Sequence, residues 1–206
     1  MNAHALQDML AGFANEALGS QAAFRVALQA LAHPGRVTPM PVEAECPPTG
    51  HPAAAVLLLA LLDADCTLWL SPTLAASSTA AWLRFHTGCR LVADPAQATF
   101  AWVAQGDASP ALATMAQGSD ADPEGSTTLV LDLPSLHGGR ALQLSGPGMQ
   151  TTQVLDASGL SDYFIAQWAD NHASFPRGVD VLLAAPGAIA GLPRTTRIAV
   201  PAPLEA

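Results

Sequence analysis

The chain has 206 residues, about half of them hydrophobic, and a formal net charge of −9. This length and composition allow one sizeable core and predict a single domain over residues 1–206. The eight basic residues are all arginine and form no basic run, which argues against nucleic acid as a partner.

The N-terminal residues do not predict export, and the cysteines do not predict a metal site. The N-terminal residues carry no basic stretch and an acid interrupts their apolar part, so no secretory signal is expected; residues 1–18 are predicted as a peripheral helix. Cys46, Cys66 and Cys89 are widely spaced and lack zinc-ligand spacing. A reducing cytoplasm is therefore the expected compartment.

The first clear element is an amphipathic helix. Ser20 is predicted as its N-cap, Phe24, Leu28 and Leu31 recur at helical spacing on one apolar face, and Pro34 with Gly35 ends the helix.

Helical and strand-like segments alternate after a proline-rich stretch. The longest apolar run, residues 53–62, spans about half of a bilayer core as a helix, so it is predicted to be a buried helix and not a membrane span. The next predicted elements are a strand over 66–71, a helix over 74–88, strands over 89–93 and 98–106, and a short helix over 109–118.

The second half repeats this mixture. Its predicted elements are a strand over 126–133, two strands within 141–155 that flank the turn Gly146-Pro147-Gly148, a helix over 159–176, a buried strand over 178–187 and a final strand over 195–200. Helices and strands mixed over the whole length predict one α/β domain in which helices cover a mixed sheet.

Motifs of catalysis and cofactor binding are weak in this sequence. The Gly146–Gly148 turn is predicted to be structural, with a phosphate-binding loop as the alternative. Asp63 and Asp65 are predicted to lie in a solvated loop, with a divalent-metal site as the alternative. The histidines are dispersed, and no serine has the setting of a nucleophile elbow. We therefore predict no catalytic residue and no metal site.

The arginines near the C-terminus are the remaining candidates. Arg177, Arg194 and Arg197 lie in two segments that we expect to be neighbouring strands, and three converging guanidinium groups would form an anion site. In the alternative, Arg194 pairs with a buried acid such as Asp180 and ties the two segments together. The sequence favours this second arrangement and leaves the first open.

Five segments together resemble one family. They read SQAAFRVALQALAHPGR, LLLALLDADCTLWLS, TGCRLVADPAQATFAWVAQG, LQLSGPGMQ and FPRGVDVLLAAPGAIAGLPRTTRIAV. In this order, over roughly Ser20 to Val200, they resemble PhnH, a subunit of the bacterial carbon–phosphorus lyase core complex. The motif positions that carry the resemblance are Phe24, Arg25, Pro34, Gly35, Gly146, Pro147, Gly148 and Asp180. The sequence Leu-Ala-His-Pro-Gly departs from the Met-Ser-Arg-Pro-Gly common in relatives, and Arg36 is a candidate substitute for that arginine.

The resemblance implies a three-layer α/β/α sandwich with a mixed sheet, similar to the large domain of pyridoxal-phosphate-dependent transferases. The chain contains no lysine, so it cannot form the internal Schiff base of those enzymes. Three scattered cysteines also do not suit an iron–sulfur cluster. We therefore expect no cofactor.

The resemblance further implies organic phosphonate catabolism. The expected role is a subunit that is required with PhnG, PhnI and PhnL to form α-D-ribose 1-methylphosphonate 5-triphosphate from ATP and methylphosphonate. Its expected partners are PhnG, PhnI and PhnJ, with PhnJ the most direct, and a homodimer is expected when it is isolated. We expect an organising role without turnover by the chain alone. The alternative is a nucleotide- or phosphonate-binding subunit that uses Arg177, Arg194 and Arg197.

Overall fold

The computed structural model describes residues 9–41 and 43–201. The helices of this part are α1 Glu16–Ala32, α2 Pro52–Leu61, α3 Pro72–Ala75, α4 Ser78–Thr87 and α5 Asp162–Ala173. The strands are β1 Gly12–Phe13, β2 Thr38–Pro39, β3 Ala44–Glu45, β4 Thr67–Leu70, β5 Arg90–Leu91, β6 Phe100–Val103, β7 Thr128–Asp132, β8 Ser135–Ser145, β9 Gln153–Ser158, β10 Asp180–Ala185, β11 Ala188–Leu192 and β12 Arg197–Ala199.

A seven-stranded sheet in the order β2-β11-β10-β7-β6-β4-β5 organises the molecule. The pairs from β10 through β7, β6 and β4 to β5 are parallel, whereas β11 pairs antiparallel with both β10 and β2. Six strands therefore run one way and β11 runs the other. The predicted α/β class with a mixed sheet is confirmed.

The two faces of this sheet are covered differently. On one face, α1, α2 and α4 bury a core that includes Leu57, Trp82 and Trp102. On the other face, α5 and a second sheet of order β12-β8-β9 bury a core that includes Leu142 and Trp168. The second sheet places the C-terminal strand β12 beside β8, and this position determines the surroundings of the C-terminal arginines.

The first helix differs from its prediction in both its start and its buried face. Asn15, not Ser20, is the N-cap, and its side-chain oxygen accepts a hydrogen bond from the backbone N–H of Leu18 at 3.1 Å. Phe24 is 45% exposed and Leu28 is 50% exposed. The buried residues of α1 are instead the alanines Ala23, Ala27 and Ala30.

The reason for this orientation lies in β11. A Cβ atom placed on Gly191 would lie 2.4 Å from the backbone oxygen of Ala30. The helix therefore approaches the sheet so closely that only small side chains fit between them, and the larger apolar side chains of α1 turn outward.

Replacing Gly191 with alanine is expected to lower the free energy of unfolding by about 1–3 kcal/mol, because the new methyl group overpacks this contact. Gly187→Ala in the adjoining turn is the matched control, since a Cβ there meets no atom within 4 Å. Urea denaturation of both variants measures the difference. Equal stability of the two variants would contradict the close packing of α1 on β11.

Several other predicted boundaries are wrong for local reasons. The helix predicted over 74–88 is interrupted at Ser77, whose hydroxyl caps α4 by accepting from the backbone N–H of Thr79 at 3.2 Å. The short helix predicted over 109–118 is only a 3-10 turn at Leu112–Thr114. The backbone N–H of Leu112 donates to the side chain of Gln167 instead, at 2.8 Å.

The described N-terminal residues differ from their prediction, whereas the apolar run agrees with its own. The peripheral helix expected over 1–18 lies partly outside the described residues; from residue 9 the chain forms β1 and then enters α1 at Glu16. The apolar run forms α2 as predicted, with Leu57 and Leu58 fully buried. Across residues 9–41 and 43–201, no helix has the length and apolar character to cross a membrane.

Candidate functional site

The three candidate arginines belong to segments that contact one another, but their settings differ. Arg177 follows α5, Arg194 lies between β11 and β12, and Arg197 begins β12. The expectation that their segments form neighbouring strands is wrong: β10 pairs with β7 and β11, whereas β12 pairs with β8. The unpredicted strand β11 occupies the place beside β10.

Arg194 and Asp180 form a partly buried ion pair, in which the Asp180 side chain is 25% exposed. Arg194 is only 9% exposed, and its guanidinium binds the carboxylate through Nε to Oδ1 at 3.1 Å and through Nη2 to Oδ2 at 2.5 Å. The backbone N–H of Arg194 also donates to Asp180 Oδ1, at 2.7 Å. This bidentate geometry joins the start of β10 to the segment after β11.

The remaining donors of Arg194 bind three other positions. Nη1 donates to the carbonyl oxygens of Pro123 and Pro176, at 3.0 and 3.2 Å. Nη2 donates to the hydroxyl of Ser126 at 2.5 Å. A guanidinium has five N–H groups, and all five are therefore used within the protein. This arrangement is the tie that the sequence favoured, and it leaves Arg194 no free donor for a ligand.

Arg177 lies at the surface. Its Nε is 3.4 Å from Asp120 Oδ1, and the two side chains are 53% and 81% exposed. An exposed pair of this kind contributes about 0–1 kcal/mol. Arg177 and Arg194 thus engage different acids, and the three arginines do not share an acceptor within the described residues.

Arg197 binds a histidine. Its Nε donates to Nε2 of His172 at 3.2 Å, and Nδ1 of His172 lies 3.0 Å from the carbonyl oxygen of Arg194. Because the arginine is always a donor, Nε2 of His172 accepts and Nδ1 carries the proton that is donated to Arg194. His172 thereby links Arg197 to the Arg194–Asp180 pair.

An open cavity of about 640 Å³ lies in front of Arg197, and we call it the Arg197 cavity. Its lining residues are Ser145, Gly146, Pro147, His172, Ala173, Phe175, Thr195 and Arg197. The structure therefore brings the glycine-rich turn and the C-terminal arginine segment, which the sequence treats separately, to one place. Ser145 and Arg197 are directly paired across β8 and β12.

The glycines of the turn pack against neighbouring backbone, and the glycine after α1 packs against a side chain. A Cβ on Gly146 would lie 2.8 Å from the backbone oxygen of Thr195, and one on Gly148 would lie 2.4 Å from that of Ala32. Both glycines have positive φ, so the tight-turn interpretation accounts for them. Gly35 is close-packed against a side chain, because its Cβ would lie 2.3 Å from Cδ1 of Leu144.

A buried carboxylate that the sequence analysis did not single out lies at the end of β7. Asp132 is 3% exposed and accepts from the indole N–H of Trp102 and the backbone N–H of His51, each at 2.9 Å. Burial raises the pKa of Asp132 above its ordinary value, against the effect of these hydrogen bonds. Because His51 immediately precedes α2, the carboxylate satisfies the start of that helix.

The cysteines and the loop acids offer no reactive arrangement. Burial raises the pKa of Cys46 to about 11 and also raises the pKa of Cys66 and Cys89, so the thiolate that catalysis needs is disfavoured. Asp63 accepts the backbone N–H groups of Asp65 and Cys66, which closes the loop. The described part of the chain holds no group of three or more His, Cys, Asp or Glu side chains placed for a metal ion.

Comparison with known proteins identifies relatives over nearly the whole chain. The model of a family described as bacterial phosphonate metabolism protein (PhnH) matches residues 11–199. Over 186 residues, 90% of this chain and 93% of the relative, the chain is 37% identical to alpha-D-ribose 1-methylphosphonate 5-triphosphate synthase subunit PhnH of Rhizobium meliloti (strain 1021). Over 179 residues, 86% of this chain and 85% of the relative, it is 36% identical to the putative C-P lyase subunit protein HtxG of Stutzerimonas stutzeri.

Proposed function

Since the chain belongs to the PhnH family of bacterial phosphonate metabolism proteins, we propose that it is the PhnH subunit of a carbon–phosphorus lyase complex. In this role it is required with PhnG, PhnI and PhnL for the formation of α-D-ribose 1-methylphosphonate 5-triphosphate from ATP and methylphosphonate. The family resemblance found in the five sequence segments is confirmed by the match over residues 11–199.

The observation that carries this proposal is the identity of 37% over 93% of a relative named as a synthase subunit. The settings of the polar groups support an organising role for the chain. Arg194 uses all five donors within the protein, and Asp132 accepts from a helix start and an indole. These groups hold segments together, which is the requirement for a subunit that presents a fixed surface to its partners.

The proposed partners are PhnG, PhnI and PhnJ, with PhnJ in direct contact, and the isolated chain is proposed to form a homodimer in the cytoplasm. Exposed apolar side chains on α1 support an interaction surface, since Leu18 is 65% exposed, Phe24 45% and Leu28 50%.

Co-purification tests this assembly. The tagged chain, co-expressed with PhnG, PhnI and PhnJ, is expected to elute with them from a size-exclusion column at a constant ratio across the peak. Expression of the tagged chain alone supplies the reference elution volume and reports its own oligomeric state. Elution at that reference volume in the presence of all three partners would contradict the proposed assembly.

We further propose that residues 1–206 form one domain with the three-layer arrangement of a pyridoxal-phosphate-dependent transferase. A mostly parallel sheet with one reversed strand supports this relationship, and so does its cover of helices on one face and of α5 with the second sheet on the other. The chain contains no lysine, so the proposal includes the fold of those enzymes without their cofactor.

The second candidate function is a subunit that itself binds a nucleotide or a phosphonate through Arg177, Arg194 and Arg197. One observation favours a narrower version of it. Of the three arginines, only Arg197 belongs to the lining of the Arg197 cavity. Its hydrogen bond to His172 uses only Nε. In this version Arg197 contacts the ligand, Arg194 supports it through His172, and Arg177 lies outside.

A further inference from the structure

The Arg197 cavity is lined by a positive charge, although the protein as a whole is negatively charged. The chain has 17 acidic and 8 basic residues, yet the described residues that line the cavity include one arginine and no acid. The neighbouring cleft at Arg194 differs, because its lining also contains Asp180 and Glu124. The Arg197 cavity is therefore a local positive site on an acidic protein, which favours an anion.

Arg197 is held in place by one edge of its guanidinium. Its Nε donates to His172, and His172 donates in turn to the backbone of Arg194, whose own side chain is fixed by five hydrogen bonds. Neither terminal nitrogen of Arg197 donates to an acceptor in residues 9–41 or 43–201. Four N–H groups thus have no acceptor within those residues, and a planar pair of such groups matches the oxygens of a phosphoryl, phosphonyl or carboxylate group.

The rest of the lining combines hydroxyl groups with an aromatic ring. Ser145 and Thr195 are half-buried, and their hydroxyls bind no protein group in the described part of the chain. Phe175 is 59% exposed and lines the same cavity. A ring of this kind gives a sugar or a base an apolar face to pack against, and the volume of about 640 Å³ lies within the usual range of small-molecule sites.

We propose that the Arg197 cavity binds a sugar that carries a phosphoryl or phosphonyl group, with Arg197 on the anionic group and Phe175 on the ring. His172 is a positioning residue that orients Arg197. This inference rests on the second candidate function, whose ligand class it narrows, and it does not depend on the organising role.

Calorimetry of the purified full chain tests the site with ribose 5-phosphate, AMP and inorganic phosphate as probes at low salt. Ribose 5-phosphate and AMP are expected to bind. Arg197→Gln is expected to lower the affinity for both by at least about tenfold, because a charge-assisted hydrogen-bonded pair is lost. Added salt is expected to weaken binding to the unsubstituted chain. A circular dichroism spectrum and a thermal melt of the variant check that it is folded.

Two further variants separate this site from general charge and fold effects. Arg140→Gln removes the same charge at an exposed pair with Asp162, outside the cavity, and is expected to leave binding unchanged. Phe175→Ala is expected to lower the affinity for ribose 5-phosphate and for AMP several-fold, because both carry a ring that packs on Phe175. Its affinity for inorganic phosphate, which has no ring, is expected to stay unchanged.

Three results would overturn the proposal: no heat from any probe at millimolar concentration, equal affinity of Arg197→Gln and the unsubstituted chain, or an equal loss in Arg140→Gln. Inorganic phosphate that binds as tightly as ribose 5-phosphate would overturn the part assigned to Phe175. The organising role is measured separately, by leaving the chain out of the assembled complex, so its outcome does not follow from these titrations.

Discussion

Arg194→Ala is expected to lower the free energy of unfolding by about 2–4 kcal/mol, somewhat less than the cost of breaking a fully buried ion pair, because the Asp180 side chain is 25% exposed and water can reach it. The substitution leaves the Asp180 carboxylate without its bidentate partner and removes the donors for the carbonyls of Pro123 and Pro176 and for the hydroxyl of Ser126. Urea denaturation followed by tryptophan fluorescence measures the change.

Arg177→Ala is the matched control, because Arg177 also pairs with an acid but at the surface. It is expected to change the free energy of unfolding by less than about 1 kcal/mol. An Arg194→Ala variant as stable as Arg177→Ala would show that the pair with Asp180 does not hold the C-terminal segment.

The α/β class and most elements follow from sequence because their signals are local. The buried strands β4, β7 and β10 read as apolar, strand-forming runs, and α2 as a continuous apolar segment. Patterns of this kind depend on residues within a few positions of each other, so they can be recognised without knowledge of the fold.

The orientation of α1 could not be predicted from its own residues. The large apolar side chains Phe24 and Leu28 define the apolar face of the sequence, yet Ala23, Ala27 and Ala30 are buried. The deciding contact is with Gly191, more than 150 positions further along the chain. A close helix–sheet approach selects small residues, and hydrophobic periodicity does not contain that information.

Strand β11 is not predicted by its own sequence, for a related reason. Its sequence, AIAGL, is rich in alanine and glycine, which are depleted in strands. It is a strand because β10 and β2 supply hydrogen-bonding partners on both sides. Because β11 lies beside β10 and β12 pairs with β8, the segments of Arg177 and Arg197 are not the neighbouring strands that the sequence predicts.

The candidate site was predictable only where both partners are charged. Charges are few in this chain, so pairing Arg194 with Asp180 was a natural hypothesis. The other contacts of Arg194 are to backbone carbonyls and a hydroxyl, and Arg197 binds the imidazole of His172. The amino-acid composition does not predict such partners. The turn at Gly146 lies beside β12 because β8, which precedes the turn, pairs with β12 far along the chain.

The organising role is tested most directly by reconstitution. Purified PhnG, PhnI and PhnL are incubated with ATP and methylphosphonate, with and without this chain, and adenine release is followed by chromatography. We predict no turnover by the chain alone, no turnover by the partners without it, and restored turnover when all are combined. Turnover by the chain alone, or full activity of the complex assembled without it, would contradict the proposed function.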